Sequence, residues 1–403
     1  MTIETFISMV AKNVKALNGE ELAKLFDLND RHIQDPTLIP FIPEKMKMGK
    51  QFVPWREMIV SHLNVLTHLN NKDLKGALEE QFNLIEIFSD LFEQIKDDNW
   101  FLPVMTVLTV DLRCLAHAMD YGIDSQVKHH SSAGENMKRV ADCLMRLFRK
   151  CVSDSRSNVE TSKKMGMMAL CNQLFKIFFT ISQLNLCKSL ILAIENLGII
   201  DKFSICQQVT YNYYVGRKCM FDDNFQKANE SLTFAFENCH RDYVKNKRLI
   251  LIYLIPVKML LGNFPTDKLL VKYNLKEFSG VVKSVRIGDL CNLEAELNIN
   301  GPFFISCGVY LILEKLKYIA YRNLFKTVST MIGSHMISIS AFSDALKFVG
   351  VSDIDIDETE CILANLIFEN KIKGYLAHQQ QKLVMSKTNA FPSISQTTVT
   401  VTR

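Results

Sequence analysis

From Pro54 to about Lys347 the apolar residues fall at helical spacing. In Leu74–Ile95 they are Leu74, Ala77, Leu78, Phe82, Ile85, Phe88, Leu91, Phe92 and Ile95, mostly in steps of three and four that draw one stripe along a helix. Such a stripe is read as a core face. A helix, tight turn and helix recur along this stretch. The copies are Asp73-Leu74-Lys75-Gly76-Ala77, Asn185-Leu186-Cys187-Lys188-Ser189 and Asn224-Phe225-Gln226-Lys227-Ala228. In each, an Asp or Asn is expected to cap the second helix, and a small residue further on lets the two helices approach. The third copy is the clearest, with Tyr214-Val215-Gly216-Arg217-Lys218 before it and Leu232, Ala235 and Phe236 after it. The fold class expected is mainly α, a tetratricopeptide-like helical-repeat solenoid with irregular spacing.

The pattern changes after Tyr321. A helix is expected over Arg322–Ile332 and a short strand over His335–Ser340, where apolar and polar residues alternate. Ala341–Val349 returns to helix. A further helix should run to Phe368, with Asp353, Asp355 and Asp357 around its first turn. Lys371–His378 and Lys382–Ser386 then read as two strands of a hairpin. Helix, strand, helix, helix, hairpin is the order of a winged helix. The expected organisation is an N-terminal helical hairpin (Thr2–Leu28) and linker (Arg31–Val53) within 1–53, a solenoid over 54–320, a winged helix over 321–389 and a tail over 390–403. The tail, Ala390–Arg403, is read as mobile. Gly122–Gly134, with His129 and His130, is read as an exposed connection.

Composition supports this reading. Apolar residues make up 48% of the 403, and Gly (16) and Pro (9) are scarce, which favours long helices. Eleven cysteines without a CxxC pair, most among apolar neighbours as at Cys143 and Cys361, point to free thiols in a reducing compartment. The most apolar stretch, Leu249–Leu261, is shorter than the roughly 20 residues a spanning helix needs. The first residues carry Glu4 and no apolar leader core, so no signal peptide and no membrane insertion are expected. Asn229-Glu230-Ser231 matches a glycosylation sequon inside a helical stretch and is set aside.

Candidate chemistry is sparse. No phosphate loop, dinucleotide fingerprint, nucleophile elbow or His-Glu-x-x-His is present. His62 and His68 stand six apart on one helix and do not share a face, and His117, His240 and His378 lack an evident partner in sequence. The expectation is no enzyme, no metal and no cofactor. A hydrolase built from dispersed residues stays as a remote alternative.

The net charge of +4 is too small to predict nucleic-acid binding by itself, so local patches decide. Lys371, Lys373, Lys382 and Lys387 lie in a span without an acid. They are either phosphate contacts or the lysines that keep a hairpin edge soluble. The helix before them, with Ile356, Ile362, Leu363, Leu366 and Ile367 inward, presents Asp357, Glu358, Glu360, Ala364, Asn365, Phe368 and Glu369 outward. Such a face would be repelled by phosphate and suits a protein partner, with Asp357, Glu358 and Phe368 as candidates. Arg241, Lys245, Lys247 and Arg248 either dock an acidic peptide or are a solvated helix start.

Whole runs of the chain carry a family resemblance. They include Leu102–Met105 with Asp111–Arg113, Asn172–Phe178, Tyr213–Lys218, Asn246–Leu254 and Pro256–Gly262. Further on come Leu311–Lys317, Tyr321–Lys326, Cys361–Ile367 and Lys373–Tyr375. With these, residues 54–392 resemble the PCI-domain scaffolds of the proteasome lid, signalosome and initiation-factor complexes, and most closely those of mRNA-export complexes. The PCI region would begin near residue 205 and end in the winged helix. The resemblance implies a role coupling transcription to mRNA export, in the nucleus and at the nuclear pore with a cytoplasmic pool. It implies a large export-scaffold partner of the germinal-centre-associated nuclear protein type, and a small acidic peptide subunit shared with the proteasome lid. It also implies RNA or single-stranded nucleic acid on paired winged helices, for which Lys326, Lys347 and the wing lysines are the matching candidates. The alternative is a proteasome-lid or signalosome-like scaffold that binds no nucleic acid.

Overall fold

The computed structural model describes residues 3–30, 53–95, 99–122, 134–156 and 158–394. Most of the linker 31–53, the connection around His129 and His130, and the tail from 395 onward therefore lie outside the described residues. The chain divides into two compact units, Met1–Tyr211 and Asn212–Arg403.

The first unit holds α1 (Ile3–Lys15), α2 (Gly19–Phe26), α3 (Val53–Asn70), α4 (Leu74–Gln94), α5 (Leu102–Tyr121), α6 (Glu135–Val152), α7 (Met167–Thr180) and α8 (Cys187–Glu195). From α3 to α8 each helix packs on the next, as expected of a stacked helical array. The stripe on α4 buries Ala77, Leu78, Leu84, Ile85, Phe88, Leu91 and Phe92. Phe92 meets Phe101 edge-on at 5.2 Å. Lys163 is buried there because its ammonium donates to the Phe92 carbonyl and lies 4.7 Å from that ring. Among the described residues one helix, α5, is long and apolar enough to cross a membrane by length and composition. It packs against α2, α4, α6 and α7 and carries the buried Asp111.

The second unit opens within α9 (Ile205–Phe221) and continues with α10 (Phe225–Asn238), α11 (Val244–Leu260), α12 (Asp267–Lys272), α13 (Glu277–Ile287), α14 (Leu290–Ile299), α15 (Gly301–Cys307) and α16 (Tyr310–Glu314). It ends in α17 (Lys317–Ile332), β1 (Met336–Ser338), α18 (Ile339–Phe348), α19 (Ile356–Phe368), β2 (Gly374–Ala377) and β3 (Lys382–Met385). The sheet is antiparallel in the order β1-β3-β2, with Ile337 opposite Leu383 and Tyr375 opposite Val384. This is a winged helix at the end of a helical solenoid.

The turns explain why the repeat was only partly legible. Lys72 and Asp223 adopt left-handed backbone at φ 58° and 59°. The residue after each, Asp73 or Asn224, closes a 2.9 Å bond from its N–H to the carbonyl five residues back, on His68 or Cys219. Asp73 then accepts from the Gly76 N–H at 3.0 Å and Asn224 from the Lys227 N–H at 3.2 Å, capping the following helices as expected. The middle copy has a different register from the one its residues suggest. Its turn is Ser182 (φ 58°) followed by Gln183, whose N–H bonds the Phe178 carbonyl at 2.9 Å. Asn185 sits in a short 3-10 turn and caps nothing, and Ser189 is exposed. The hairpin α1–α2 has the same turn at Leu17 (φ 52°) and Asn18, with Asn18 capping α2.

Other boundaries moved for physical reasons. The helix expected from Arg322 begins at Lys317, because Ile319 and Ala320 already lie on its buried side. The strand expected over His335–Ser340 stops at Ser338, since Ile339 is buried as the first residue of α18. The start of the tail is not free: Arg322, buried on α17, donates to the carbonyls of Phe391 (3.2 Å) and Pro392 (2.7 Å).

Candidate docking and nucleic-acid interface

α19 is fixed by a capping box. Asp355 accepts from the Glu358 N–H at 2.7 Å, and Glu358 accepts in return from the Asp355 N–H at 3.4 Å. Its buried side is Thr359, Leu363 and Leu366. The expected inward Ile356 is instead exposed, because Ile354, just before the cap, takes the core position. Ile362 and Ile367 are half-buried. Asp357 and Glu358 are exposed as expected, and Phe368 is 79% exposed. Glu360 and Glu369 do not face freely outward. Glu360 is engaged by His378 on the wing, with His378 Nδ1 2.9 Å from both carboxylate oxygens. Glu369 pairs with Lys371 at 2.5 Å. The partner that His378 lacks in sequence is therefore supplied by the fold.

The wing lysines separate into two kinds. Lys371 is withdrawn: its side chain is only 16% exposed and its ammonium lies 5.5 Å from the Tyr318 ring. It is not available to phosphate. Lys373, Lys382 and Lys387 are exposed, as are Lys326 on α17 and Lys347 in the last turn of α18. Lys373 exchanges backbone bonds with Ala390 and Ser386, so it lies beside Lys387 at the base of the hairpin. Lys382 opens β3 opposite Ala377 at the other end.

The basic run at 241–248 divides by helix phase. Arg241 and Lys245 are exposed. Lys247 points inward, donating to the Phe236 carbonyl at 2.7 Å over the Phe236 ring. Arg248 is half-buried and donates to the Asn274 carbonyl at 3.3 Å. Lys247 cannot meet an external acidic peptide.

One feature escaped sequence reasoning. A groove of about 790 Å³ between α13, α14, α17 and α18 is lined by Leu324, Val328, Ala345 and Val349. Phe348 (91% exposed), Met331 (81%) and Ile287 (65%) stand on it, with Asp289 and Asp344 in its lining. Each of the three ends a helix or nearly so, where the helical stripe gives no face to read. Together they leave an apolar patch open to solvent on this face.

Cys143, Cys151, Cys171, Cys187, Cys219 and Cys239 are buried thiols outside any disulfide, and burial pushes the Cys151 thiol up to about 12. Cys361 is exposed, against expectation, because it lies on the solvent side of α19. His62 is buried between the rings of Phe6 and Phe26. His68 lies 2.9 Å from Asp73. Among the described residues no group of three His, Cys, Asp or Glu side chains is placed to hold a metal ion.

The PCI domain pattern matches residues 297–387, which takes in α17 to β3. PCI domain-containing protein 2 of Xenopus laevis is 45% identical over 395 residues, 98% of both chains. Its counterpart in Danio rerio is 44% identical over 395 residues, again 98% of both. Protein CSN12 homolog of Neurospora crassa is 31% identical over 327 residues, 73% of this chain and 72% of that protein. The similarity extends beyond the 54–392 carried by the quoted runs. The chain belongs to the PCI domain-containing protein 2 family of PCI scaffolds.

Proposed function

We propose that this protein is the PCI scaffold subunit of an mRNA-export complex coupling transcription to nuclear export, acting in the nucleus and at the nuclear pore. The observation that carries the reading is the presence, on one winged-helix region, of an apolar docking groove at Phe348 and Met331 and of exposed lysines on the adjoining wing. The groove suits a large helical partner of the export-scaffold type, because burying such side chains drives stable association. Phe368, Asp357 and Glu358 offer a second, polar-rimmed contact. Lys326, Lys347, Lys373, Lys382 and Lys387 supply sequence-tolerant contacts to RNA phosphates. Arg241 and Lys245 are the solvent-facing cations left for a small acidic peptide subunit. Affinity purification from nuclear extract tests this: a large helical partner, a small acidic one and RNA should accompany the chain.

A second reading is a signalosome-like or proteasome-lid scaffold without nucleic acid, towards which the similarity to Protein CSN12 homolog points. Purification in which subunits of a degradation assembly replace the export partners, with no RNA bound, would favour it.

A further inference from the structure

We propose that the N-terminal hairpin α1–α2 is a proton-linked strap on the helical array: it closes over α3 and α5 while the Asp111 carboxyl is neutral and loosens when that carboxyl ionises. Among the described residues the hairpin meets the array at several places. Phe6 and Phe26, both fully buried, enclose His62 of α3, one ring stacked and the other edge-on. Gly19 lies so close to the Trp100 carbonyl that a Cβ there would stand 1.6 Å from the oxygen. At the end of α2 the Leu28 N–H donates to Asp111 Oδ2 at 3.1 Å.

Two titratable side chains are buried in this contact, His62 between the two phenylalanine rings and Asp111 at the hairpin's end. Asp111 is buried in the middle of α5 and its oxygens face the hairpin's end. The charged group that acts on it from α2 is Asp27, of the same sign. Among the described residues, cations on and around α5 are engaged elsewhere: Arg113 with Gln173, Lys163 with the Phe92 carbonyl, Lys24 with Glu21, Arg139 with Glu79 and Lys150 with Glu93. Among the described residues the buried Asp111 carboxyl has one hydrogen bond and no cation, which makes its charged form costly and favours the neutral acid. Burial, opposed by the Leu28 N–H and reinforced by Asp27, pushes the Asp111 carboxyl up to about 7.

The sign follows. With the hairpin released, Asp111 meets water and titrates near its ordinary value of about 3.9. Closure is therefore strongest below about pH 4, weakens by about tenfold per pH unit up to about 7, and is level above that. Near neutral pH the strap is held with its smallest margin, and acidification tightens it.

The test is hydrogen exchange of residues 3–26 in the full chain, corrected for intrinsic chemistry, between pH 5 and 7.5. Emission from Trp55 and Trp100, the two tryptophans of the chain, whose rings lie 6.0 Å apart, gives a parallel readout. The opening constant should rise on the order of a hundredfold across this window and be flat in Asp111→Asn. The same rise in Asp111→Asn would overturn the proposal, as would a rise abolished only by His62→Phe. Should Asp111→Asn not fold, the carboxyl carbon resonance of Asp111 in the unaltered chain decides: a midpoint near 7 supports the strap and one near 4 overturns it.

Discussion

His378, on the turn of the wing, holds its Nδ1 2.9 Å from both carboxylate oxygens of Glu360 on α19, although the two lie eighteen residues apart in sequence. The contact joins the β-hairpin to the helix before it. The Glu360 carboxylate raises the His378 imidazole above its ordinary value. A raised histidine holds its contact fully below about pH 6.5 and loses it as pH climbs through the folded value. An NMR titration of His378 should therefore give a midpoint above 6.5, and Glu360→Gln should bring it back. An unchanged midpoint in that variant would remove the ion pair from the account.

Close helix approach at the third repeat rests on Gly216. A Cβ there would lie 2.5 Å from Leu232 Cγ. Gly216→Ala should destabilise the protein by about 1–3 kcal/mol through overpacking, measured by chemical denaturation. Gly301→Ala is the control: a Cβ there meets nothing within 4 Å, and the change should stay within about 0.5 kcal/mol.

RNA affinity should depend on which wing lysine is altered. Lys373→Glu, Lys382→Glu and Lys387→Glu together should weaken binding and flatten its salt dependence, read by filter binding at several salt concentrations. Lys371→Glu should instead loosen the wing, because it replaces the Glu369 ion pair and the Tyr318 contact with repulsion. Loss of RNA affinity from Lys371→Glu alone, with melting unchanged, would reverse this division.

The two exposed and two inward cations of the run at 241–248 make a similar contrast. Lys247→Ala leaves the Phe236 carbonyl without its donor and should cost about 1–3 kcal/mol in denaturation. Arg241→Glu with Lys245→Glu should leave stability within about 0.5 kcal/mol and weaken capture of an acidic peptide in a titration.

What could be read ahead of the structure was what depends on local periodicity. The stripe on α4, the order of elements in the winged helix, the caps at Asp73 and Asn224 and the acids around the start of α19 are all fixed by neighbours within a few residues. What could not be read depends on phase or on distant contacts. Lys245 and Lys247 differ by half a helical turn, which sends one to solvent and the other beneath Phe236. Asn185 looked like a cap because the residue type was right, whereas the turn is set by the left-handed Ser182. The clasp of Arg322 on Phe391 and Pro392 spans 69 and 70 residues and leaves no local trace. The Phe348 groove is assembled from four helices, none of which shows it alone.

The docking surface proposed on the winged-helix region is built around Phe348 and Met331. Its most direct measurement is the stoichiometry of proteins and RNA recovered with the intact chain and with the Phe348→Asp, Met331→Asp double variant. Both side chains are already in solvent, so the variant should melt with the unaltered chain. The large helical partner should be lost from the variant. Full recovery of that partner by a folded double variant would contradict the proposed docking surface.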